Sequence, residues 1–367
     1  MSDRVTGMPV VGMVGAGQLA RMTQQAAISL GLSLRVLADS PTDGAALVTP
    51  DVEIGGPADS EALHRFAKSC DVVTFDHEQV PRELIEELVA AGTTVHPSAE
   101  ALVYSQDKRA MRTKIAELGL PVPRWSDDPE ALPRPYVAKA VRGGYDGRGV
   151  WFVNPGDPLP TVDFIVEERV SIVHELSIQV ARTPSGRVRC WPVVETVQRN
   201  GICVEVVAPA PRLSTSYAAE ADRIGTRIAN ELGVVGVMAV ELFEAPSGLL
   251  VNELAMRPHN SGHWSIEGAT TSQFEQHLRA ILDWPLGDVR PRARVTVMVN
   301  VLGGPATNLA AALPAALAAA PNASIHLYGK AERPGRKLGH VTVLGDDLVE
   351  ARTTARRAVA ILQGDSP

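Results

Sequence analysis

Three cysteines in 367 residues, Cys70, Cys190 and Cys203, are too few and too scattered for a disulfide framework or a thiolate metal site. They read as the reduced thiols of a cytoplasmic protein. The chain also lacks an apolar run near the roughly 20 residues that span a bilayer. Met1 to Pro9 carries no apolar signal core. Positive charge is in deficit: 35 Lys and Arg against 42 Asp and Glu leave a net charge of -7. A sequence-independent binder of nucleic acid or membrane surfaces would show a broad basic field instead. There is no internal repeat and no long low-complexity segment. What is present is globular material, 45% apolar, in a chain long enough for two or three domains.

Residues 9 to about 100 alternate short apolar runs with helical patterns. Val10–Val14, Leu34–Ala38 and Val72–Phe75 are strand-like; Gln18 to Leu30 and Pro81 to Ala91 are helix-like. This βαβ alternation predicts a parallel sheet covered on both faces. From 105 to 185 the spacing predicts a helix over 107–118 and strands over 136–140, 150–153 and 164–167, a small α+β unit whose glycine-rich edge could move as a lid. Strands dominate from 186 to 290, with helices at 217–232 and 270–282. Beyond 291, strands at 294–301, 324–327 and 341–344 precede a closing helix at 347–361, and Ala310 to Ala320 reads as a helix interrupted at Pro314.

The chemistry concentrates in Asn252–Trp264, where Glu253, Arg257, His259, Asn260, Ser261 and His263 follow the apolar run Gly248–Val251. Upstream, Val237–Phe243 carries Glu241, and Ala245-Pro-Ser-Gly248 has turn chemistry. An antiparallel hairpin would set Glu241 and Glu253 opposite each other, with Cβ atoms about 4.5–5.5 Å apart. Two such acids call for a cation, and oxygen-only ligands beside nucleotide phosphates favour Mg²⁺. The i, i+4 pair His259 and His263 does not make a zinc site, because Pro258 and Gly262 oppose a helix and no further His or Cys ligand is evident.

Arg142-Gly-Gly-Tyr-Asp-Gly-Arg-Gly149 places four glycines and two arginines between two strands. Such loops let backbone N–H groups approach phosphate oxygens, and Lys139 on the preceding strand can reach the same anion. Without a closing Gly-Lys-Ser/Thr it is not a Walker loop. Gly15-Ala-Gly17-Gln18, with Asp39 at the end of the next strand, fits a dinucleotide fingerprint, or a turn that holds a phosphate or other anion at a helix N-terminus. Glu167-Glu168-Arg169-Val170 ends a buried-type strand, where an acid and backbone groups could meet adenine and ribose; Glu175 is similarly placed. His77 and Glu78 follow the third parallel strand, at the edge where such sheets bind ligands. Lys330, Arg333, Arg336, Lys337 and His340 cluster about the Pro334-Gly335 turn and suit a substrate phosphate. Each of these segments also admits a plain reading as a solvated turn.

Gly15-Ala-Gly-Gln-Leu-Ala-Arg-Met22, Gly143-Gly-Tyr-Asp-Gly-Arg-Gly149, Asn252-Glu253 with His259-Asn-Ser-Gly-His-Trp264, and Arg333-Pro-Gly-Arg-Lys-Leu-Gly-His340, in this order, resemble the ATP-grasp superfamily. Within it they are similar to the 5-(carboxyamino)imidazole ribonucleotide synthetases. The resemblance implies an α/β ATP-grasp fold: a Rossmann-like pre-ATP-grasp domain at 1–104, an α+β lid or central domain at 105–185, and a C-terminal ATP-grasp domain at 186–367 with a family-specific tail from about 291. It implies ATP held by Lys108, Lys139, Gly144, Tyr145, Asp146, Gly147, Arg148, Gly149, Val150, Glu167, Glu168, Arg169, Val170, Glu175, Gln198, Asn252 and Glu253, with Mg²⁺ on Glu241 and Glu253. Gly17, Gln18, Leu19, His77, Glu78, Asn260, Ser261, Lys330, Arg336 and Lys337 would line the aminoimidazole ribonucleotide site. Tyr145, Asp146, Arg148, Arg257 and His263 would lie near the reacting carbonate. Two segments depart from the family pattern: Asp76 and Gln79 stand in a motif that often reads Phe-Glu-x-Glu-Asn, and Met256 stands where Pro is common.

The implied activity is carboxylation of the ribonucleotide amine with ATP and bicarbonate, through carboxyphosphate, with Asp146 or His263 taking the amine proton. A cytoplasmic homodimer is implied too. Competing readings are a related ligase that activates another carboxylate such as formate, a nicotinamide or flavin protein using the Gly15 turn, and a non-catalytic nucleotide sensor.

Overall fold

The computed structural model describes residues 6–144 and 147–364. Tyr145 and Asp146, expected over the phosphates and near the carbonate, lie outside the described residues. Strands β1 (Val10–Val14), β2 (Ser33–Ala38), β3 (Asp51–Ile54) and β4 (Val72–Phe75) form a parallel sheet in the order β3-β2-β1-β4. Helices α1 (Gln18–Ser29), α2 (Ser60–Ala67) and α3 (Arg82–Ala90) connect and cover it. β1 and β4 are buried at every residue, as expected of strands covered on both faces. β3 and α2 are additional to the sequence expectation; α2 starts where Asp59 accepts a hydrogen bond from the Ala62 N–H.

Helices α4 (Ala99–Gln106) and α5 (Lys108–Glu117) meet at Asp107, which caps α5 through the Ala110 N–H. They lead to a second sheet of β5 (Trp125–Ser126), β6 (Tyr136–Ala140), β7 (Val150–Val153) and β8 (Phe164–Glu168), in the antiparallel order β5-β8-β6-β7. The glycine loop joins β6 to β7.

The third sheet has nine antiparallel strands: β9 (His174–Arg182), β10 (Val188–Cys190), β11 (Val194–Arg199), β12 (Ile202–Ala208), then, after α6 (Thr215–Glu231), β13 (Gly236–Ala245) and β14 (Gly248–Ala255). A 3₁₀ turn (Asn260–Gly262), α7 (Ser265–Gly268) and α8 (Gln273–Ile281) follow, then β15 (Val295–Leu302), α9 (Leu309–Ala319), β16 (Ala323–Leu327), β17 (Lys337–Gly345) and α10 (Leu348–Gln363). The order is β14-β13-β9-β11-β12-β15-β17-β16, with β10 on β9. β9 pairs with β13 from Arg182 to His174, so it belongs to this sheet although a boundary at 185 assigns it to the central unit. Periodicity marks β9 as a strand but does not say which sheet it joins.

Candidate active site

The Glu241–Glu253 hairpin forms as its turn chemistry predicts: β13 and β14 pair those two residues directly. The register then shifts, so that Leu242 pairs with Val251 and Asn252 is the extra residue of a bulge. A bulge re-aims side chains, and here two consecutive residues serve one site. The Lys139 ammonium donates to the Asn252 Oδ1 at 2.9 Å, while the Lys108 ammonium donates to the Glu253 Oε1 at 2.8 Å. Glu175 on β9 lies on the same sheet face, two residues from the Ser177 that pairs with Glu241.

Charges here are held in balance. Burial pushes the Glu241 carboxyl up, and Glu253 and Glu175 push it further. Burial also pushes Glu253 up, but Lys108 and Lys139 outweigh it and hold that carboxyl below the usual range. Glu175 rises to about 7, chiefly through burial. Oxygen donors with excess negative charge are what a divalent cation accepts, and Glu241 with Glu253 could hold Mg²⁺. Among the described residues no group of three or more His, Cys, Asp and Glu side chains is arranged around a metal position.

Glu167 differs from expectation. Its carboxylate is buried and turned inward, accepting from the Arg112 Nε at 2.8 Å and paired with the Lys139 Nζ at 2.9 Å. β6 and β8 bring this about, because Val137 pairs with Glu167 and Lys139 with Ile165, making Lys139 and Glu167 diagonal neighbours on one face. Burial would raise this carboxyl, yet Lys139 and Arg112 bring it down to about 2. Both oxygens of this acid are engaged, one by Arg112 and the other by Lys139. Glu168 receives the Arg124 backbone N–H at 2.9 Å and its guanidinium Nε at 2.7 Å. Arg112 lies one helical turn beyond Lys108 on α5, and that i+4 spacing is the one signal of it in the sequence.

The glycine loop approaches the β11–β12 turn: a Cβ on Gly147 would lie 3.0 Å from the Gly201 Cα, and Gly147 has φ +77°. That contact brings the loop beside the strand carrying Gln198. Arg142 reaches the Asp107 carboxylate at 2.9 Å, tying the loop's start to α5.

At the first parallel strand the helix N-terminus does bind an anion, and the anion is Asp76. Its Oδ2 accepts from the Gly17 N–H at 2.6 Å and its Oδ1 from the Ala20 N–H at 2.9 Å. A Cβ at Gly17 would strike the same carboxylate. A phosphate at this turn, whether of a dinucleotide or of a substrate, would have to displace it. Gln18 is thereby fixed at the start of α1. Its Oε1 accepts from the Lys330 Nζ at 2.7 Å, and its Nε2 lies 3.4 Å from the His263 Nε2.

Gln273 determines which His263 nitrogen carries hydrogen. Its Oε1 accepts from the His259 N–H, so its Nε2 donates to the His259 carbonyl at 2.8 Å and to the His263 Nδ1 at 2.9 Å. Burial, then the neighbouring His340 and His259, hold His263 well below its ordinary pKa. The neutral ring therefore carries hydrogen on Nε2, facing the Gln18 amide nitrogen. Two nitrogens that both bear hydrogen meet beside an ammonium, an arrangement that an oxygen of a bound molecule would resolve.

His259 links the two halves. Its Nε2 lies 3.5 Å from the Glu241 Oε1, and its Nδ1 is 2.8 Å from the Ser261 Oγ, which lies 2.8 Å from the Ser177 Oγ. Burial, with Arg257 and Lys337 nearby, lowers His259 to about 3. Glu78 accepts the Met256 N–H at 2.8 Å and pairs with the Arg257 Nε at 3.3 Å. His77 packs on Gly15, whose φ is +97°. Arg336 is exposed on the Gly335 turn, and Lys337 sits near enough for its charge to act on Glu241, His259 and His263. Ser177 and Gln273 carry much of this network, and as ordinary polar residues on a strand and a helix they have no signal in the sequence.

A lid-borne lysine, a glycine loop and paired acids across a β-hairpin define a nucleotide-using enzyme of the ATP-grasp class. An ATP-grasp domain family model matches residues 115–274, a ribonucleotide synthetase preATP-grasp domain matches 8–106, and a phosphoribosylaminoimidazole carboxylase C-terminal domain matches 296–354. The N5-carboxyaminoimidazole ribonucleotide synthase of Mycobacterium tuberculosis is 55% identical over 93% of this chain and 85% of its own. That of Corynebacterium ammoniagenes is 47% identical over 98% and 93%. The synthetase structure from Thermotoga maritima superposes with a TM-score of 0.88 at 36% identity, covering 98% of this chain and 100% of that one. The Aspergillus clavatus synthase in complex with ADP and 5-aminoimidazole ribonucleotide gives 0.87 at 33%, covering 97% and 98%. The chain belongs to the N5-carboxyaminoimidazole ribonucleotide synthase family.

Proposed function

We infer that the protein catalyses ATP- and bicarbonate-dependent carboxylation of the amine of 5-aminoimidazole ribonucleotide, giving the N5-carboxyamino product by way of carboxyphosphate, a ligase step of de novo purine synthesis. The observation that carries this reading is the junction at His259, which joins a phosphate-and-metal half to a donor-rich half built from Gln18, His263 and Lys330. ATP lies over Lys108, Lys139, Asn252 and the glycine loop in this reading, with Glu175 toward the ribose. Glu241 and Glu253 would hold Mg²⁺, which when bound would neutralise charge developing on the transferring phosphoryl group. Lys139, fixed from two sides by Glu167 and Asn252, needs no reorganisation to meet a phosphate oxygen. Arg257, held by Glu78, faces the carbonate. In this reading the His263 Nε2–H donates to a carbonate oxygen and the amine proton is assigned to Asp146, which lies outside the described residues. Lys330, Arg336 and Lys337 take the ribonucleotide phosphate.

The division of the chain we propose starts the third unit at β9. A cytoplasmic homodimer belongs to the same reading through family resemblance, and light scattering in solution tests the assembly. The activity is tested by phosphate release from Mg·ATP with ribonucleotide and bicarbonate supplied together and each withheld in turn. Ribonucleotide-dependent release with labelled bicarbonate in the product is expected; release that needs formate instead would overturn the substrate assignment. Glu253→Gln should abolish turnover with the fold intact, and retained turnover would remove its metal role.

A further inference from the structure

Glu253 is already paired with a cation. The Lys108 ammonium sits 2.8 Å from its Oε1, with only 12% of the lysine side chain exposed. The other nearby cations are committed elsewhere, Lys139 to Asn252 and Glu167, and Arg112 to Glu167 and the Val251 carbonyl. Lys108 is the first residue of α5, and a Cβ placed on Gly144 would lie 3.8 Å from its Cε. The ammonium therefore stands between a metal carboxylate and the start of the glycine loop. A divalent cation arriving at Glu253 meets a fixed positive charge on the oxygen it needs.

We propose that Lys108 is a built-in occupant of the metal position, drawn off Glu253 toward the glycine loop only when nucleotide phosphates arrive, so that metal and nucleotide load together. The proposal rests on reading Glu253 as a metal ligand and Lys108 as a phosphate contact. Its consequence is that the nucleotide-free protein resists bare divalent cations. Coupling between two ligands is reciprocal and typically amounts to roughly 5–150-fold.

The test is Mn²⁺ binding to the full-length, nucleotide-free protein, followed by the electron paramagnetic resonance signal of free Mn²⁺. Lys108→Met should bind Mn²⁺ more tightly than the wild type by a factor within about that 5–150-fold range. Lys108→Arg, which keeps the charge, should stay weak, and adding Glu253→Gln to Lys108→Met should abolish the gain. Circular dichroism checks that each variant is folded. Equal affinity in wild type and Lys108→Met, or no detectable binding in either, overturns the proposal. A separate arm measures Mn²⁺ with a non-hydrolysable ATP analogue. If Glu253→Gln does not weaken binding there, the metal reading itself fails and the proposal with it; if it does, a null result for Lys108→Met counts against the proposal alone.

Discussion

Replacing Glu167 by Gln removes one charge from a buried triad and leaves Arg112, whose side chain is 0% exposed, with a neutral partner. The magnitude follows from the native carboxyl at about 2. Against an ordinary Glu near 4.3, a shift of about two units at 1.36 kcal/mol each gives about 3 kcal/mol. That agrees with the roughly 3–5 kcal/mol expected on breaking a buried ion pair from one side. Because the native pKa is depressed, the contribution is present above the unfolded value and lost as pH falls through the native one. Urea unfolding followed by tryptophan fluorescence should therefore show the variant about 3 kcal/mol less stable at pH 7, with the gap closing between about pH 4.3 and 2. The adjacent Glu168→Gln is the control: its Arg124 partner is 71% exposed, so a loss of about 0–1 kcal/mol is expected. If Glu167→Gln costs no more than Glu168→Gln, Arg112 has another acceptor and the triad is not what anchors Lys139.

Asp76→Asn should lower stability by about 1–2 kcal/mol through the charge lost at the α1 N-terminus. It should also raise KM for the ribonucleotide while leaving KM for ATP nearly unchanged, because only Gln18 depends on that cap; equal effects on both would refute the positioning argument. Glu175 is raised to about 7 mainly by burial, so the native state keeps its proton where the unfolded chain loses it, and stability falls as pH rises from about 4.3 to 7. Thermal melts of nucleotide-free Glu175→Gln should lack that fall, and parallel pH curves for variant and wild type would sink the assignment.

Features set by local chemistry were legible. The Pro-Ser-Gly turn and the alternating apolar residues on either side of it specify the β13–β14 hairpin, and Glu241 does pair with Glu253. The β1–α1 and β4–α3 alternation specifies a parallel sheet in the same way. β3 was less visible, since Asp51 and Glu53 alternate with apolar residues over only four positions and the strand is half-exposed. What could not be read was the pairing of charges distant in sequence: Arg112 with Glu167, 55 residues apart, and Asp76 with Gly17, 59 apart. No period or spacing connects such residues; only the placement of α5 against β14, from which Arg112 reaches Glu167, or of β4 beside β1, brings them together. The expectation of an anion at the Gly15 turn illustrates the limit. The physics of a helix N-terminus demands a negative group, and sequence alone does not distinguish a ligand phosphate from a carboxylate of the same chain.

The same ambiguity explains how the two lysine–carboxylate pairs differ. Where the protein supplies both charges and buries them, as at Glu167, the pair is structural and fixes a neighbouring side chain. At Glu253 the acid remains 35% exposed and its lysine borders a glycine loop, so the pair can be exchanged for phosphate and metal. A cation and an anion in contact thus mean opposite things according to whether a ligand can reach them. Lys139 and Lys108, two lysines expected to do one job, separate on that ground: the first is held in place by Glu167 and Asn252, and the second is free to trade partners.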